Sequence, residues 1–157
     1  MAALNLAGAM TNLKTMLSGL TAWTTICTAA GGASAALRIY EGGTEQEGET
    51  LAPCIFLDFV SLPTNWIGQR FTGRLSFEIR CEFPIPEAER QTYSDEYLYA
   101  WGFLSDMLAG INGAVGGAGQ LMADSLEVAT VPSRISPEEN QGRVEWGFIL
   151  NLAVKVI

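Results

Sequence analysis

One stretch limits what this chain can fold into more than any other. From Gly73 to Phe83, Leu75, Phe77, Ile79, Cys81 and Phe83 alternate without a break with Ser76, Glu78, Arg80 and Glu82. A period of two sends successive side chains to opposite faces of a strand, so one face of this segment is buried and the other wet. The wet face also alternates in charge, which suits solvent, an antiparallel neighbour or a subunit boundary. Pro84 and Pro86 end the strand and keep the departing chain extended.

The C-terminal stretch repeats the pattern. Val144, Trp146, Phe148, Leu150, Leu152, Val154 and Val156 alternate with Glu145, Gly147, Ile149, Asn151, Ala153 and Lys155. At about 3.4 Å per residue, 143–157 would run close to ~50 Å, beyond the usual strand of a small domain. It is therefore expected to bend or to project past its sheet as an edge open to another subunit. A third β-prone run, CIFLDFV at Cys54–Val60, lies between Pro53 and Pro63 and is dense enough to be covered on both faces. Asp58 interrupts it. Burying that charge would require a cation such as Arg74 or Arg80, so Asp58 is placed at a solvated edge or a subunit contact.

Two segments have the period of a helix. Leu13, Met16, Leu17 and Leu20 share one face of a helix over Thr11–Leu20, which Thr11 or Asn12 can cap, and Trp23 and Ile26 extend that face. Residues 1–10 then read as a flexible arm. Tyr97, Trp101, Leu104, Leu108 and Ile111, widened by Leu98, form the stripe of a second helix over Ser94–Ile111, with Ser94 as N-cap and Asp95 and Glu96 in its first turn. Between the elements, Leu37–Tyr40 suggests a short strand. Glu41, Glu45, Glu47 and Glu49 mark an acidic loop over 41–50, and Leu121–Val131 is read as a helical turn leading into an extended segment. The glycine-rich stretch Gly110–Gly119 fails as a phosphate loop, because no strand leads into it and no G-K-[ST] follows.

The order of these elements makes an α+β fold of two layers, a mixed or mainly antiparallel sheet covered on one face by two helices. With 157 residues, of which 48% are hydrophobic, the chain is expected to form a single domain over 1–157. The N-terminal stretch has no basic cluster ahead of its apolar residues and no segment is long enough to span a bilayer, so neither export nor a membrane is expected.

Composition narrows the chemistry. A net charge of −8 with scattered Arg and Lys disfavours specific nucleic-acid binding. The absence of histidine removes the usual serine and cysteine nucleophile arrangements. Cys27, Cys54 and Cys81 form no C-x-x-C pair and read as buried thiols rather than ligands or disulfides. No cofactor, metal site or catalytic residue is therefore expected, and the chain is read as no enzyme. The enzyme alternative is a small carboxylate hydrolase, with Asp58, Glu78 or Glu82 in a concave pocket.

The sequence offers material for assembly instead. Candidate interface residues are Asp58, Arg74, Glu78, Arg80, Glu82, Glu145 and Lys155, and Glu41, Glu45, Glu47 and Glu49 are candidates for a surface facing a lumen or a partner. An N-terminal helix, the CIFLDFV strand, GRLSFEIRCEF, the YLYAWGFLSDML helix and a closing GRVEWGFILNLAVKV strand occur in the order and size that resemble the tail terminator, or tail completion, proteins of long-tailed bacteriophages. The resemblance runs from about Thr11 onward and includes the pair Val131 and Pro132. It implies a small α+β subunit that closes into a six-membered ring, caps the tail tube, stops its polymerisation and meets the head connector. The implied partners are further copies of the chain, the tube protein and connector proteins, with DNA passing through the ring. The implied location is the virion tail or neck, after assembly in the host cytoplasm. A connector, stopper or tube protein is the alternative role.

Overall fold

The computed structural model describes residues 6–42, 52–61, 64–67, 70–114, 122–135 and 143–156. The fold is α+β, with a mixed, mostly antiparallel sheet packed against helices. Strand β1 (Ile39–Glu41) lies parallel to β2 (Cys54–Ser61), and β2 is antiparallel to β4 (Arg70–Pro84). The ladder continues through β6 (Glu145–Val156) to β5 (Met122–Arg134), while β3 (Thr64–Ile67) pairs with β4 alone.

The alternation in β4 translates directly into burial. Leu75, Phe77, Ile79, Cys81 and Phe83 are fully buried against Trp146, Phe148, Leu150, Leu152 and Val154 of β6 and the helical layer. Phe83 sits 4.6 Å from the ring of Phe103 and 5.8 Å from that of Phe148, at angles typical of aromatic cores.

The expected first helix is longer and divided. Helix α1 spans Leu6–Ser18 and helix α2 spans Thr21–Ala30, joined at Gly19–Leu20. Residues 6–10 are thus helical rather than part of an arm, and residues 1–5 lie outside the described residues. Leu13, Met16, Leu17 and Leu20 do share the buried face, and Trp23 and Ile26 continue it from α2. The Trp23 indole donates to the Ala35 carbonyl at 3.2 Å, tying α2 to the turn that follows.

Helix α3 (Tyr93–Ala114) differs from expectation at its start and in its rotation. The cap is Thr92, not Ser94. Thr92 Oγ1 accepts from the Asp95 amide at 3.1 Å, and the Thr92 amide donates to Asp95 Oδ2 at 3.1 Å, a reciprocal capping pair. The buried stripe is Glu96, Ala100, Phe103, Leu104, Met107 and Ile111, whereas Tyr97 and Leu98 are 43% and 65% exposed. The stripe read from hydrophobicity alone was therefore turned by about one residue, because Glu96 has a buried partner that periodicity does not reveal.

Four further expectations change. The 121–131 segment contains no helical turn from Met122 onward, since β5 is strand throughout, with register irregularities and Pro132 typical of an edge. Strand β6 is no projecting edge, because β4 and β5 flank it along its length. Strand β2 is covered on both faces only over Cys54–Leu57; Asp58, Phe59 and Val60 are exposed. The short strand expected at Leu37–Tyr40 begins only at Ile39, after a single 3₁₀ turn at Ala36–Arg38.

Candidate functional site: the helix-free face of the sheet

Over Cys54–Asp58, Arg74–Pro84 and Glu145–Ala153, side chains of even number in β2 and β4 and of odd number in β6 point away from the helices, and no described helix packs on that face. Strand register arranges them in rows. Cys54, Glu82 and Gly147 form one row, Phe56, Arg80 and Ile149 the next, and Asp58, Glu78 and Asn151 a third that reaches Glu127 of β5. Beyond these, Arg74 stands opposite Lys155. Six of the seven residues singled out from the sequence, Asp58, Arg74, Glu78, Arg80, Glu82 and Glu145, thus come from three strands to a single sheet face, and the backbone of Lys155 is in register with Arg74.

The surface is not uniform. Arg80 lies over the Phe56 ring at 4.4 Å, a cation–π contact, and Phe56 stacks on Tyr40 with 5.9 Å between centroids. Arg80 also reaches Glu82 at 3.8 Å, and Arg74 Nη2 donates to Ser125 Oγ at 3.3 Å. Asp58 sits directly opposite Glu78, an arrangement of like charges that destabilises a ladder unless water screens it, and Asp58 is exposed. Its carboxylate lies against Gly42, where a Cβ would overlap it unless the Asp58 side chain moved aside; the Gly42 amide donates to the Leu57 carbonyl.

Glu145 is buried at the Pro84 end of this face. Burial holds its pKa above the ordinary carboxylate value; Arg143, 3.3 Å away, opposes the shift and Glu82 adds to it. Glu41 belongs to β1 and accepts from Lys14 Nζ of α1 at 2.8 Å, which holds its pKa below the ordinary value. It serves as a tie between strand and helix. Glu45, Glu47 and Glu49 lie outside the described residues.

Two buried charged residues escaped the sequence reading. Glu96 Oε1 accepts from the Trp146 indole at 3.1 Å and is 3.3 Å from Arg134 Nε, which fastens α3 to β6 and β5. Its spacing to Ala100, Phe103, Met107 and Ile111 was the available signal. Arg38 donates from Nε to Ala33 at 3.0 Å, from Nη1 to Pro53 at 3.2 Å and from Nη2 to Gly31 at 2.6 Å, holding together the turn after α2 and the entry to β2. Nothing in a lone arginine beside LRIY announces this.

The three cysteines are buried and free. Burial pushes Cys27 up to about 11 against the lowering effect of Arg38, and raises Cys54 and Cys81 further, so all three are protonated thiols at neutral pH. Among the described residues no group of three or more acidic, histidine or cysteine side chains is placed to hold a metal ion, and no helix is long and apolar enough to cross a membrane.

On the helical side, a groove of about 880 Å³ opens between α2, α3 and Pro84–Pro86. Ala22, Ile26 and Phe103 make it apolar, and Asp106 is its acidic member. Tyr99 lines it too, with a pKa raised by burial and by the negative charge of Glu89 and Asp106. Asp58, Glu78 and Glu82, the carboxylates of the hydrolase alternative, are not among its lining residues.

No family model matches the chain, and no curated protein matches it either.

Proposed function

We propose that this chain is a structural subunit of a long-tailed bacteriophage tail, forming a ring that caps the tail tube, ends its polymerisation and offers a surface for head attachment. The observation that carries the reading is the order and size of its elements: a helical N-terminus, strand β2, the long strand β4, one long helix and the closing strand β6. That is the arrangement on which the resemblance to tail terminators rests. Two features support it. The helix-free sheet face presents Asp58, Glu78, Arg80 and Arg74 in fixed rows on rigid strands, as a recognition surface requires. The edge strand β5 also exposes Val128 and Val131.

Electron microscopy of particles assembled with and without the protein tests the reading. Tails of uncontrolled length in its absence support termination. Normal tails that fail to join heads move the role to a connector or stopper, loss of tails altogether moves it to the tube, and normal infectious particles overturn all of these.

A further inference from the structure

The sheet has two open sides. On one, β5 has no further neighbour among the described residues and carries the exposed run Glu127–Val131. On the other, β1 pairs with Ile55–Leu57 of β2, and Asp58, Phe59 and Val60 beyond it are exposed. The large hydrophobic side chains that water reaches gather at the same two places. Among the described residues, Phe59 and Val60 of β2 and Leu37 before β1 lie on one side, and Val128 and Val131 of β5 with Tyr93, Tyr97 and Leu98 of the adjoining α3 lie on the other. None of them belongs to β4, β6, α1 or α2. A single exposed apolar residue is ordinary, but two apolar margins at opposite ends of one sheet are edges open to pairing.

Direction and facing make the two margins fit each other. Strands β2, β4, β6 and β5 follow one another in three antiparallel steps, so β5 runs opposite to β2. A second copy placed so that the sheet runs on brings its β5 antiparallel to β2, the slightly more stable of the two pairings. Phe59 stands opposite Phe77, with 4.8 Å between their rings, and Val128 stands opposite Leu150, so both belong to the helix side of the sheet. Length agrees as well. Strand β5 is regular over Ser125–Val128 and irregular from there to Ser133, and the part of β2 beyond β1 is equally short.

We infer that Asp58–Val60 of β2 in one copy pairs with β5 of a second copy, Phe59 beside Val128 and Val60 beside Glu127, and that the bulges after Val128 bend the rest of β5 clear of β1. This register sets Asp58 beside Ala129, so no further pair of like charges arises. Pairing β5 with β5 about a twofold axis would leave Phe59 and Val60 in water. The contact joins two different margins, so it repeats head to tail and closes into a ring when the rotation permits. The inference rests on the self-association that the proposed function assumes, and not on the phage tail.

Two variants of exposed residues separate the halves of the contact. Val60→Glu sets a like charge beside Glu127, and Val128→Glu sets a carboxylate against Phe59. Analytical ultracentrifugation is expected to show the wild type associating, each variant alone as monomer, and an equimolar mixture as heterodimer with no larger species, since the mixture offers one intact β2 margin and one intact β5 margin. Combining Val60→Glu with Glu127→Lys in one chain makes the facing charges opposite and is expected to restore association. Circular dichroism checks that the variants retain the fold. For weak association, a Val60→Cys chain mixed with a Glu127→Cys chain is expected to form a disulfide that neither forms alone, the native thiols being buried. If either Glu variant associates like the wild type, the contact is overturned and the ring reading stands. If Glu127→Cys cross-links with itself, β5 pairs with β5 and the contact is likewise overturned. A monomeric wild type whose cysteine mixture gives no cross-link also overturns it, and tail length in particles lacking the chain then judges the virion role separately.

Discussion

The two faces of β4 share a backbone and differ in what they do. On one face Leu75, Phe77, Ile79, Cys81 and Phe83 are fully buried; on the other, Ser76, Glu78 and Glu82 are half-buried and Arg74 and Arg80 exposed. The first face holds the domain together through dispersion and the removal of apolar surface from water. The second makes polar contacts that solvent weakens, and it can therefore change with little effect on folding. A surface of that kind is free to be shaped by partners.

Substitutions should expose this contrast. Phe83→Ala is expected to cost about 3–5 kcal/mol in denaturant unfolding, because Phe103 and Phe148 would be left around a cavity. Arg80→Ala on the opposite face is expected to cost about 1 kcal/mol or less, and a loss like that of Phe83→Ala would erase the distinction. Next in size is Glu96→Ala, expected to cost about 1–3 kcal/mol by orphaning the Trp146 indole; Glu96→Gln, which keeps an acceptor, should recover part of it. Thr92→Ala should cost about 1 kcal/mol, whereas Ser94→Ala should be near neutral, and equal effects would contradict Thr92 as the cap.

The smallest effects concern pH. The raised pKa of Glu145 means that the folded chain binds its proton more tightly than the unfolded chain does. Its contribution is fully present below the ordinary carboxylate pKa and is lost as pH rises through the folded value. Glu41 has the opposite sign: its contribution is present above the ordinary pKa and is lost as pH falls through the lowered one, and its partial exposure keeps the Lys14 pair to about 0.5 kcal/mol. Melting temperatures across the acidic range should therefore rise for Glu145→Gln relative to wild type as pH increases. The gap for Glu41→Gln should widen in the other direction, with wild type gaining over the variant as pH increases.

Much of the sheet was legible before any coordinates, because alternation is a local property. Arg74, Glu78, Arg80 and Glu82 of β4 could be assigned to the wetter side from their neighbours alone, whereas the burial of Glu145 in β6 could not be read that way. The short β3 was missed for want of enough residues to show a period, and β5 was misread because its bulges and Pro132 break the alternation. Arg38 and Glu96 were missed for a different reason. Their burial depends on acceptors and donors far away in sequence, the carbonyls of Gly31 and Pro53 in one case and the indole of Trp146 in the other.

By itself, then, the sequence determined an α+β chain, the two long strands and the face each turns to the core, since those follow from which residues exclude water at a spacing of two. Only the tertiary structure decided that β6 lies between β4 and β5, that α3 turns Glu96 inward and Tyr97 outward, and that β1 pairs with Ile55–Leu57 of β2. Strand order, helix rotation and the partner of a short edge strand depend on which distant groups meet, and no local period records that.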